Sequence, residues 1–182
     1  MLKNSQTHYG FVSVVLHWVV AVAVFGLFAL GFWMVELSYY SEWYRTAPYW
    51  HKSVGILLAV AMLLRIVWRL VSPPPASLDT HKPWEKTTAK LMQLCLYAGL
   101  AMLVISGYLI STEDGRGIAV FNWFEVPGLG ALFADQADIA GLFHKYIAYS
   151  LIVLATLHGL AALKHHFVDK DHTLKRMFGK KP

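Results

Sequence analysis

The sequence predicts an all-α membrane protein. It is a four-transmembrane-helix bundle, a single domain over residues 1–182, with N- and C-termini cytoplasmic. Three observations carry this prediction. First, 57% of the residues are hydrophobic, above the roughly 45–50% of a soluble domain, and the mean hydropathy is +0.46. Second, the apolar residues fall into four runs, at about 11–35, 51–71, 89–110 and 139–163, each near the ~20 residues that cross a hydrocarbon core. Third, the basic residues are distributed unevenly between the connections.

In chain order, residues 1–10 are polar. The run 11–35 is too long for the apolar core of a cleavable signal, and no small-residue cleavage site follows it, so it reads as the first span. His17 lies near its start. The connection 36–50 is dense in aromatics, and Pro48 marks the approach to the second span. That span opens at His51 and carries Arg65 and Arg69 towards its end, where SPPPAS (72–77) stops the helix. A basic, polar stretch follows to residue 90. The third span has no histidine. Residues 111–138 read as a long loop, with turn signals at EDGRG (113–117) and PGLG (127–130). The fourth span holds His144 and His158, and 165–182 is a basic tail. Seven Trp and nine Tyr suit aromatic belts at the two membrane interfaces. The lone Cys95 excludes an intrachain disulfide, and no C-x-x-C-H motif offers covalent haem attachment.

Charge sets the orientation. With the N-terminus inside, only Arg45, Lys52, Arg116 and Lys145 of the sixteen Lys and Arg lie outside. Glu36, Glu42, Glu113, Asp114, Glu125, Asp135 and Asp138 lie outside with them. This matches the positive-inside rule. The net charge of +5 is thus an orientation signal rather than a nucleic-acid footprint.

His144 and His158 are fourteen positions apart. Fourteen residues make nearly four helical turns, so the rings share a face about 21 Å apart along the axis. His17, about six residues into the first span, lies roughly level with His158, and His51 roughly level with His144. The four histidines therefore sort into two level pairs, His17 with His158 inside and His51 with His144 outside. Six-coordinate haem b takes two opposed imidazoles, and two level pairs on different helices meet that need. A zinc site needs ligands gathered at one point. Arg65, fourteen residues after His51, lies near the inner pair and suits a haem propionate; an interfacial snorkelling arginine is the rival reading. Lys52 and Lys145 each follow an outer histidine and suit outer propionates or headgroups. Gly31, fourteen residues after His17, leaves room near the outer pair or serves small-residue helix packing. His165, with His166 at the inner boundary, suits the headgroup of a quinone. His8, His81 and His172 fall in polar segments and read as solvent-exposed.

These features together resemble the bacterial cytochrome b561 family. The resemblance rests on LHW (16–18), WHKSVGI (50–56), H-x13-H on the fourth span, RIVWRLVSPPP (65–75) and the closing ALKHHFVDKDHTLKRM (162–177), and it covers essentially the whole chain. It implies a di-haem cytochrome of the bacterial inner membrane, multi-pass, with two haem b as cofactors. His17 and His158 would bind one haem iron, and His51 and His144 the other. It also implies electron exchange between a periplasmic-side electron donor and ubiquinone, with His165 and His166 beside the inner quinone. One member is similar to a superoxide oxidase. An anion such as superoxide is steered by positive potential, whereas the outer loops here are acidic. A neutral reductant, a quinol or a periplasmic redox protein is the alternative donor. Two rival functions stand beside this one: a membrane cytochrome subunit that anchors a separate redox enzyme, and a small transporter or ion channel whose membrane histidines relay protons.

Overall fold

The computed structural model describes residues 1–179. Four long helices carry the chain: α1 (Phe11–Met34), α2 (Thr46–Val71), α3 (Pro83–Thr112) and α4 (Gln136–Phe167). All four are long and apolar enough to cross a membrane. A hairpin of β1 (Ile118–Val120) and β2 (Phe124–Val126) lies between α3 and α4, and one helical turn, α5 (Thr173–Arg176), follows α4. Lys180 and Lys181 of the basic tail lie outside the described residues.

Three helices are longer than their apolar runs, one through a first-turn proline and two through polar side chains that satisfy the extra turns. α2 begins at Thr46 rather than at 51. Pro48 falls in its first turn, where an amide N–H has no helical acceptor in any case, so His51 sits inside the helix. α3 begins at Pro83 rather than near 89. There the Glu85 carboxylate accepts from the Lys82 N–H at 2.9 Å, a capping arrangement. α4 begins at Gln136, whose buried side chain accepts from the Leu132 N–H (2.8 Å) and donates to the Leu109 carbonyl (2.9 Å). Glu113 accepts from the Ala137 N–H at 3.1 Å, which satisfies another first-turn donor. The segment 111–138, expected to be a loop, contains the hairpin. The strands are joined by the three residues 121–123, in which Phe121 and Asn122 take left-handed φ of 46° and 57°, as tight hairpin connections use.

The chain forms two compact units. One comprises Met1–Ala21, Ala61–Tyr97 and Val153–Pro182; the other comprises Val22–Val60 and Ala98–Ile152. Each long helix contributes a part to both. In the first unit the N-terminal segment, the proline-rich turn and the C-terminal tail are tied together. Asn4 Nδ2 donates to the Ser72 carbonyl (2.8 Å), and Arg176 donates through both Nη atoms to the Ala76 carbonyl (3.1 Å each). Trp18 Nε1 donates to the Met177 carbonyl (2.8 Å), and Trp68 Nε1 to Ser13 Oγ (3.1 Å). In the second unit the fully buried Ser53 donates to the Ala119 carbonyl (3.2 Å) and accepts from the Phe121 N–H (3.3 Å). That pins the hairpin to α2. Phe121 packs edge-on against Trp50. Large apolar side chains along the helices, such as Val22, Phe32, Leu63, Leu94 and Val153, face outward, as a lipid-bathed surface permits.

Candidate functional site

Each unit holds one pair of opposed imidazoles. In the first, His17 of α1 faces His158 of α4, with ring centres 6.3 Å apart and planes at 66°. In the second, His51 of α2 faces His144 of α4, at 6.2 Å and 69°. The expected partners are therefore side by side, and α4 supplies one ring to each pair.

The two surroundings differ. His144 Nδ1 lies 3.1 Å from the Leu103 carbonyl and 3.0 Å from Ser106 Oγ. Ser106 donates its own hydroxyl proton to the Met102 carbonyl (2.7 Å), so its oxygen is free to accept from the His144 N–H. His51 Nδ1 is buried with no hydrogen-bond partner. Two glycines back these rings. A Cβ at Gly31 would lie 3.1 Å from His51 Cε1, and one at Gly107 would lie 3.1 Å from His144 Cε1. Gly31 thus makes room for the imidazole itself. Beside His17 and His158, Arg65 Nε donates to the Tyr97 hydroxyl at 2.8 Å, while Arg65 Nη1 is buried without a partner.

These features fit a six-coordinate haem. A metal–imidazole bond is about 2 Å and the ring centre lies about 1 Å further, so imidazoles on opposite sides of one metal have centres roughly 6 Å apart. Both pairs have that separation. Among the described residues, the groups of three or more clustered His, Cys, Asp or Glu ligands lie elsewhere. A two-imidazole site therefore suits an iron whose remaining positions a macrocycle fills. The unpaired Arg65 Nη1 suits a propionate.

Other residues stand apart from the pairs. Lys52 and Lys145 are exposed, and Lys52 lies within electrostatic reach of Asp114, whose carboxyl is held below its usual range chiefly by the Arg116 side chain. Arg69 is exposed and donates to Gln93 Oε1 at 3.1 Å. His165 Nδ1 lies 2.7 Å from Asp169 Oδ2, and His166 packs edge-on against Phe167. His81, expected to be solvent-exposed, is half-buried. Its Nε2 lies 2.9 Å from Asp171 Oδ2, and its ring stacks on His165. The polar segment after α2 folds back against the end of α4, which a one-dimensional polarity pattern does not reveal. His8 and His172 are also half-buried, His8 through a 2.6 Å contact with Ser5 Oγ.

The third helix contributes more than its lack of histidines suggested. Ser106, Gly107 and Tyr97 all touch a ring or a cation of the two sites. The signal in the sequence was the small polar pair Ser106–Gly107 in an otherwise apolar span.

The model for prokaryotic cytochrome b561 matches residues 8–180. Cytochrome b561 homolog 2 of Escherichia coli (strain K12) is 51% identical over 177 residues, covering 97% of this chain and 94% of that protein. Probable superoxide oxidase CybB of Yersinia pestis is 30% identical, over 95% of this chain and 97% of that protein. Cytochrome b562 of Cereibacter sphaeroides is also 30% identical, over 96% and 97%. With a match across nearly the whole chain and four helices able to cross a membrane, this chain belongs to the prokaryotic cytochrome b561 family and is a membrane-spanning haem b protein of electron transport.

Proposed function

We propose that the chain is a di-haem cytochrome that moves electrons across the bacterial inner membrane, between a donor on the outer side and ubiquinone on the cytoplasmic side. The observation that carries it is the repeated opposition of two imidazoles at 6.3 and 6.2 Å. His17 and His158 would hold one haem and His51 and His144 the other. Each bound haem would supply a one-electron redox centre at iron.

The protein's own groups do the rest. Two imidazoles would hold each iron, a ligand set that would favour electron transfer over binding of a further ligand at the metal. The half-buried Arg65 lies within electrostatic reach of His17 and His158, and its buried Nη1 would neutralise a propionate. Asp169 occupies the Nδ1 side of His165, which leaves the Nε2 edge to meet a quinone oxygen; His166 lies next to it. Lys52 and Lys145 are free to reach outer propionates or headgroups. Twelve of the sixteen Lys and Arg fall on the inner side, which supports cytoplasmic termini. A relative carries the name probable superoxide oxidase, so superoxide is one donor to test, against a neutral reductant or a quinol.

Purified protein should show the reduced b-type α-band, with two haems per chain by extraction. His51→Ala and His17→Ala should each remove one. An absent band, or a single haem in the wild type, would overturn the reading. Stopped-flow reduction with superoxide, ascorbate and quinol then identifies the donor.

A further inference from the structure

Outside the opposed pairs, one group of ligating side chains converges in the first unit. His81 comes from the turn before α3, His165 from the end of α4, and Asp171 from the segment after α4. His81 Nε2 lies 2.9 Å from Asp171 Oδ2, and His165 Nδ1 lies 3.5 Å from the same oxygen. The two rings stack with centres 4.5 Å apart. All three ligand atoms lie within 4.8 Å of one another. The Asp171 side chain is 4% exposed. His165 Nδ1 is buried and also lies 2.7 Å from Asp169 Oδ2.

Two imidazoles and one carboxylate are the donor set of an open zinc site, with a water in the fourth position. An overlapping trio, Glu85, His165 and Asp169, also lies within 4.8 Å. There the Lys164 ammonium already sits 3.1 Å from Glu85 Oε1 and 2.6 Å from Asp169 Oδ2. A second cation on that side would meet a like charge. The Asp171 side has no such occupant among the described contacts, and Thr173 Oγ1, 3.1 Å from His81 Nε2, adds another oxygen.

We propose that His81, His165 and Asp171 bind a divalent transition-metal ion of the zinc class. This goes beyond the electron-transfer reading and does not depend on it. Haem-loaded protein, stripped with chelator, is titrated with Zn2+ against a chromophoric competitor. The expected result is a single site per chain, weakened about tenfold or more by His81→Ala and by Asp171→Asn and unchanged by His8→Ala. The haem absorption spectrum of each variant reports folding. Zinc-edge X-ray absorption on the wild type gives a readout that needs no variant, with two histidine ligands expected. No zinc binding, binding equal in wild type and both cluster variants, or a ligand shell with fewer than two histidines would overturn the proposal.

Discussion

The two histidines contributed by α4 are not equivalent. His144 has both a carbonyl and a serine oxygen at its Nδ1, and such partners make an imidazole a stronger electron donor to a metal. Ser106→Ala removes one of them and leaves Leu103 in place. A neutral hydrogen bond is worth about 0.5–1.5 kcal/mol, which corresponds to roughly 20–60 mV for one electron. One of the two midpoint potentials should therefore rise by up to that amount while the other stays fixed; redox titration by absorbance measures both. The glycines set a steric limit. A Cβ at Gly31 or Gly107 already presses on a ring carbon at 3.1 Å, so Gly31→Val and Gly107→Val should each cut haem content from two towards one per chain. Gly26→Ala, whose added carbon would meet nothing within 4 Å, should leave it at two. Pyridine haemochrome assay distinguishes the cases.

Among the secondary-structure elements, the hairpin is the part that the sequence pattern missed. Its strands are three residues each, too short for alternation to register, and its turn uses Phe121 and Asn122 rather than a glycine. What holds it is the pair of hydrogen bonds through Ser53, two positions after His51 on α2. Ser53→Ala removes two part-buried hydrogen bonds of about 0.5–1.5 kcal/mol each, a loss of about 1–3 kcal/mol. For a chain of this size that is a fall of roughly 2–4 °C in Tm per kcal/mol, read by thermal scanning in detergent. The spans themselves were legible because each is an apolar run near the length of a bilayer. Their ends were not, since Glu85, Glu113 and Gln136 extend helices by side-chain capping, a polar signal that reads as loop.

For the whole molecule, the proposed orientation makes a direct prediction. A reporter active only in the cytoplasm should work when fused at either terminus and fail when inserted at 115–117, in the turn after α3. A reversed result would exchange donor and quinone sides and leave the four helices as they are. Haem removal should lower thermal stability, because a ligand that binds only the folded state stabilises it by mass action. Apoprotein prepared from haem-deficient cells should melt below the loaded form.

Hydropathy, basic-residue asymmetry and the spacing of four histidines carried the class of protein, its four spans and the pairing of His17 with His158 and His51 with His144. Those properties depend on helical periodicity and on depth in a bilayer, and both are functions of position along the chain. The partners of each ring were decided by contacts between distant segments. Ser106 against His144, Gly31 against His51, Tyr97 on Arg65, and His81 folded onto His165 and Asp171 bring together residues that no periodicity links. Which face of one helix meets which face of another is a packing outcome, and packing is where the two sites acquire their different surroundings.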